Sequence, residues 1–213
     1  MKTLKAVAMV VFALTLTSCL DIVHSVSEDE GGYSSRFRIT VSKSIFQLAE
    51  SFGGEESTVP DAEMNQELGL DADQIREELP AGLQSQVREI NTKYDVGIDV
   101  TVASANAEAD VEQQWLPMRT DEELSIPLFP SQEEVSEGTE SSQEADVFLA
   151  GRKYRIILSK GILPENPVFS LQAAGRESRE TVEVIELQEV YLIELPLVAW
   201  LEAPGARLVV RRS

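Results

Sequence analysis

The chain offers one thiol, Cys19, and one imidazole, His24, against 37 acidic and 18 basic side chains in 213 residues. A single cysteine makes no internal disulfide, Cys₄ zinc site or CxxC redox pair, and a single histidine makes no His-pair metal motif. A serine nucleophile needs a base. His24 falls in a stretch that reads as a tether, there is no Gly-x-Ser-x-Gly elbow, and no Ser-x-x-Lys occurs beyond residue 18. Phosphate loops of the Gly-x₄-Gly-Lys type are absent too. With so many carboxylates, pairs of acids carry no information about acid–base work until distances are known. The formal charge of −19 excludes a nucleic-acid role, because neutralising phosphate requires a basic face.

Clustered acids raise Ca²⁺ binding as a second possibility. Glu50 to Glu78 holds ten acids and one base, and Glu108 to Asp146 holds twelve acids and one base. Asp71-Ala-Asp73 opens like an EF-hand loop, but Arg76 stands where that loop requires glycine, so the match fails. Asp95 and Asp99 share one face of a strand pattern and, with Asn91, are the remaining candidate oxygen ligands for a metal. Otherwise the acids read as a solvated surface that keeps the domain off anionic headgroups. Trp115, Trp200, Tyr154 and Tyr191 could line a sugar or apolar site, although an aromatic content of 6% is lean for stacking.

The first twenty residues have an export signal's shape. Lys2 and Lys5 precede an uncharged apolar run from Ala6 to Leu16, about 11 residues and too short to cross a bilayer core of roughly 30 Å. It ends in Leu16-Thr17-Ser18-Cys19. This segment resembles the lipobox of a bacterial lipoprotein precursor, and the resemblance covers residues 1–20 only. It implies a signal peptide at 1–18, a diacylglycerol thioether on Cys19, cleavage before Cys19 and N-acylation of the new terminus. Several acyl chains anchor stably where one binds only marginally. Cleavage would remove two of the 18 bases and none of the 37 acids, moving the charge from −19 to −21. Leu20 rather than Asp after the cysteine resembles an outer-membrane address in a cell with two membranes.

Residues 19–35, with Ser27-Glu28-Asp29-Glu30-Gly31-Gly32 inside, read as a lipidated flexible tether reaching on the order of 20 Å. Residues 36–213 read as a single β-rich domain, long enough to bury a core without metal or disulfide staples. Phe37, Ile39 and Val41 alternate with polar neighbours, as do Val96, Ile98, Val100 and Val102. Between them a helical insertion is expected over about 61–93. Asp71 is its N-cap with Gln74 reaching back, Pro80 restarts it, and Leu83, Val87, Ile90 and Tyr94 continue at helical spacing. An acidic mobile loop is expected over about 131–146. Five strand signals follow, from Tyr154 to Val210, with a bulge expected near Ile185.

The pattern predicts a mainly β protein, an antiparallel β-sandwich with one helical insertion; the alternative is a layered α+β fold with a strand–helix–strand crossover. A split into two small domains at 131–146 is a further option. Function is expected to be non-enzymatic. The chain would be a membrane-anchored envelope lipoprotein that scaffolds or binds another envelope protein; the alternative is a module binding Ca²⁺ or an apolar ligand.

Overall fold

The computed structural model describes residues 20–29, 32–44, 64–104, 114–128, 152–173, 176–177, 182–197 and 205–213. The signal segment with Cys19, the 131–146 loop and Trp200 lie outside them.

β1 (Leu20–Asp29) and β2 (Gly32–Ser42) form an antiparallel hairpin, in register from Leu20 opposite Val41 to Asp29 opposite Gly32. The tether expected over 19–35 is therefore wrong for residues 20–29 and 32–35, which are strand. Period two explains it: Ile22, His24 and Val26 are buried while Asp21, Val23 and Ser25 between them are partly open. The hydrophilic composition of the segment concealed that alternation. Gly32 closes the turn at φ +112°, a conformation that favours glycine.

After β2 come two short helices, α1 (Met64–Glu67) and α2 (Ala72–Glu78). Asp71 caps α2 by accepting from the backbone N–H groups of Asp73 at 2.8 Å and Gln74 at 2.9 Å. Gln74 does not reach back; its amide donates to Glu78 Oε1 at 2.8 Å. Pro80 holds Leu79 in an extended conformation at ψ 135°, which ends the helix. Leu83–Asn91 is then a strand, β3, not the helix expected through 93. Its Leu83, Val87 and Ile90 imitate helical spacing only because β3 is an edge strand with one fully buried apolar side chain, Val87. β4 (Asp95–Ser104) returns beside it and pairs antiparallel with both β3 and β2, so no parallel crossover forms there.

The remaining strands are β5 (Met118–Arg119), β6 (Glu123–Pro127), β7 (Lys153–Ser159), β8 (Pro167–Ala173), β9 (Arg176–Glu177), β10 (Glu183–Glu186), β11 (Val190–Pro196) and β12 (Arg207–Arg212). The phase change near Ile185 is a hairpin, not a bulge. Leu187 N–H donates to the Val190 carbonyl at 2.9 Å, and β10 folds back on β11. Its turn, Leu187-Gln188-Glu189, carries no glycine, proline or asparagine to announce it.

Among the described residues, seven strands form one sheet in the order β10-β11-β7-β1-β2-β4-β3, and five form a second in the order β5-β6-β12-β8-β9. Pairing is antiparallel throughout except between β1 and β7, which run parallel. The fold is mainly β, a sandwich-like arrangement with a helical insertion. One core mixes Ile22 and Val26 of β1, Leu124 and Ile126 of β6, Tyr154, Ile156 and Leu158 of β7, and Leu208 and Val210 of β12. Residues on both sides of 131–146 thus share a single core. A second cluster lies where α2 covers β2, β4 and β3: Phe37, Ala72, Val87, Ile98, Val100 and Leu116. Burying each such Leu, Ile or Phe contributes about 1.5–3 kcal/mol.

Candidate functional site

Alternation in β1, β2, β4 and β3 sends one set of side chains under α2 and the other to the outer face of the large sheet. On that outer face a shallow concavity of about 490 Å³ is lined by Asp21, Val23, Ser25, Arg36, Arg38, Thr40 and Asp95. Asp99 stands beside it. Arg36 Nε donates to Asp99 Oδ1 at 2.8 Å, and a second guanidinium nitrogen of Arg36 donates to Oδ2. The register places Arg38 and Arg88 directly opposite Asp99, one on each flanking strand. The hydrogen bond from Arg36, aided by the charges of Arg38 and Arg88, holds the Asp99 carboxyl below its usual range. Three guanidinium groups thus surround one carboxylate. Arg38 and Arg88 form no ion pair among the described residues, leaving a local positive surplus on a strongly acidic chain.

The structure does not bring Asp95, Asp99 and Asn91 together around one point. Asp95 and Asp99 do share a face, but four strand steps separate them by about 13 Å, too far to ligate one ion. Asp99 is committed to Arg36. Asn91 Oδ1 accepts from Lys43 Nζ at 3.0 Å. Among the described residues no three His, Cys, Asp or Glu side chains lie close enough to hold a metal ion.

His24 stands in the middle of the large sheet with no exposed surface. Its ring stacks on Phe37 with centroids 4.1 Å apart and meets Tyr154 edge-on at 6.2 Å. Neither ring nitrogen has a hydrogen-bond partner. Burial pushes its pKa down to about 3, so the imidazole is neutral at physiological pH. Sealed from solvent, it cannot serve as a base toward a dissolved substrate.

On the inner face, behind Phe37, a cavity of about 280 Å³ opens between the sheet and α2. Ile39, Ile75, Leu79, Ile98 and Trp115 line it, with Gln74 and Glu78 at the rim. Arg76 ties the helix down by donating to the Val87 carbonyl at 2.9 Å. Of the aromatics singled out from the sequence, Trp115 lines this cavity. Tyr154 is core, and Tyr191 is half-buried against Phe169 on the far side of the molecule.

No protein-family model, curated protein or solved structure matches the chain. The arginine face was missed in the sequence, although Arg36-Phe37-Arg38 already implied two arginines on one side of a strand. Adding Arg88 and Asp99 requires the strand pairing.

Proposed function

We propose that the chain is a lipoprotein of the bacterial cell envelope, held to its membrane by a diacylglycerol thioether and an N-acyl chain on Cys19. Its β-sandwich works without catalysis, binding an acidic segment of another envelope protein across the outer face of β2, β4 and β3. The observation that carries the binding reading is the arginine trio Arg36, Arg38 and Arg88 around the single carboxylate of Asp99. An interface of that kind steers its partner electrostatically and weakens with salt. The Leu16-Thr17-Ser18-Cys19 motif supports the anchor, and in a cell with two membranes Leu20 favours the outer one.

Two comparisons test this. Cys19→Ala should move the folded domain from the membrane fraction to the soluble one; its retention in the membrane would remove the anchor. Cross-linking in intact cells should recover one envelope protein with the wild type and lose it with Arg38→Glu plus Arg88→Glu. Equal recovery would remove the arginine face as the interface.

The cavity under α2 favours a second reading, an apolar small-molecule site in the same anchored protein. Anilinonaphthalene sulfonate should then bind, change Trp115 emission and raise the thermal midpoint. An unchanged midpoint at saturating probe would dismiss it.

A further inference from the structure

We infer that one end of the seven-stranded sheet rests on the bilayer surface, with the β3–β4 turn at Thr92-Lys93-Tyr94 touching the headgroups. The inference depends on the acylation of Cys19 proposed above. It follows from where β1 begins: Leu20 is already paired with Val41, so no flexible residue separates the acylated cysteine from a central strand. The Cα of Leu20 then lies about 4 Å from that of Cys19. A tether would let the domain tumble above the membrane, whereas a strand attached at its first residue holds one end down.

The register identifies what shares that end. Leu20 neighbours Val41, Val41 neighbours Val96, and Val96 neighbours Asn91, so the β3–β4 turn sits three strands away, about 14 Å laterally. The turn is well held. Thr92 Oγ1 accepts from the N–H of Asp95 at 2.9 Å, and Lys43 N–H donates to the Tyr94 carbonyl at 2.8 Å. Tyr94 is 67% exposed, the most exposed large hydrophobic side chain among the described residues, and Lys93 Nζ lies 5.2 Å from the centre of its ring. An exposed tyrosine beside a lysine suits the headgroup region, where the ring's apolar body and polar tip are both satisfied and the ammonium meets anionic lipid.

Charge along the sheet agrees with this orientation. Toward the anchored end, Asp21 and Glu194 pair with Arg155, and Glu183 and Glu194 pair with Lys153, leaving Glu89 and Asp95 without an ion pair among the described residues. At the opposite end lie Glu28, Glu186 and Glu189, the last two flanking the β10–β11 turn and Glu186 paired with Lys160. Nine strand steps separate the two ends by about 30 Å. That is several screening lengths at physiological salt, so those acids do not repel the headgroups.

The test uses the full lipidated protein in vesicles of phosphatidylethanolamine and phosphatidylglycerol. Tyr94→Cys and Leu187→Cys are each labelled with a thiol fluorophore and quenched by headgroup-bound nitroxide lipid. The label at 94 should be quenched at least about fivefold more than the label at 187, given the ~30 Å between the ends. Ten Gly/Ser residues inserted between Cys19 and Leu20 should abolish the difference while the protein still floats with the vesicles. Equal quenching at 94 and 187 in a floating protein overturns the membrane-facing end and leaves the anchor intact. If instead the wild type takes up label at Cys19 and fails to float, the anchor itself is wrong and this inference falls with it.

Discussion

β1, β7 and β11 lie beneath a second sheet, whereas β2, β4 and β3 lie beneath the short helices α1 and α2. The first half of the large sheet is closed by side chains with no exposure: Tyr154, Ile156, Leu158, Ile193 and Leu208. The second half has a cavity on its inner side and an open arginine face on its outer side. His24 and Phe37, stacked at the seam, mark where one regime gives way to the other. Close packing is concentrated in the first half and open surface in the second, so local opening should be easier in the second.

The largest effect should come from the second half, at Gly97, where β4 meets the backbone of β2 with no room for a side chain. A Cβ on Gly97 would lie 2.0 Å from the Ile39 carbonyl oxygen and 2.9 Å from the Cα of Thr40, neither of which can move without parting β4 from β2. Gly97→Ala should cost about 3 kcal/mol or more, read from the urea midpoint. A loss under about 1 kcal/mol would show that the pairing there is loose.

Truncations sharpen the contrast directly. Ile156→Ala empties a site packed on all sides and should cost about 3–4 kcal/mol, while Ile75→Ala, half-buried against the cavity, should cost about 1 kcal/mol. Equal losses would erase the distinction between the halves.

The seam itself titrates. The folded pKa of His24 is about 3 and its ordinary value is 6.5, so between those values the unfolded chain takes up a proton that the native state refuses. Stability therefore falls as pH drops from about 6.5 toward 3, by up to about 1.4 kcal/mol per pH unit from this residue. His24→Leu should remove that part of the slope and, by deleting two buried nitrogens without partners, raise stability at pH 7 by about 1 kcal/mol. Parallel melting-versus-pH curves for wild type and variant would contradict this.

The smallest effect belongs to the outer face. Arg36→Ala removes a half-exposed ion pair and should cost no more than about 1 kcal/mol, a difference that shrinks in 1 M salt. A larger, salt-independent loss would mean that the arginine face supports the fold.

Where apolar residues alternated over a whole strand, the sequence was readable, as in Phe37–Val41, Val96–Val102 and Tyr154–Leu158. It misled where composition competed with periodicity. Ser, Asp and His in 20–29 disguised a central strand, and the sparse apolar residues of an edge strand copied a helix at Leu83, Val87 and Ile90. The β10–β11 turn lacked any turn residue and was hidden for that reason. Of the proposed sites, Asp95 and Asp99 were rightly put on one face, but only the register reveals Arg38 and Arg88 flanking Asp99. Charge-pair geometry across strands is a property of pairing, and a single strand's residues do not encode it.

Under the proposed acylation, a strand at the heart of the fold is fixed to the membrane through the residue just before it. Mass analysis of the N-terminal peptide, from protein extracted out of the membrane fraction, tests it most directly. The expected product is a peptide starting at Cys19 and carrying a diacylglycerol thioether and one N-acyl chain. A peptide with any other first residue, or a free thiol at Cys19, would contradict it.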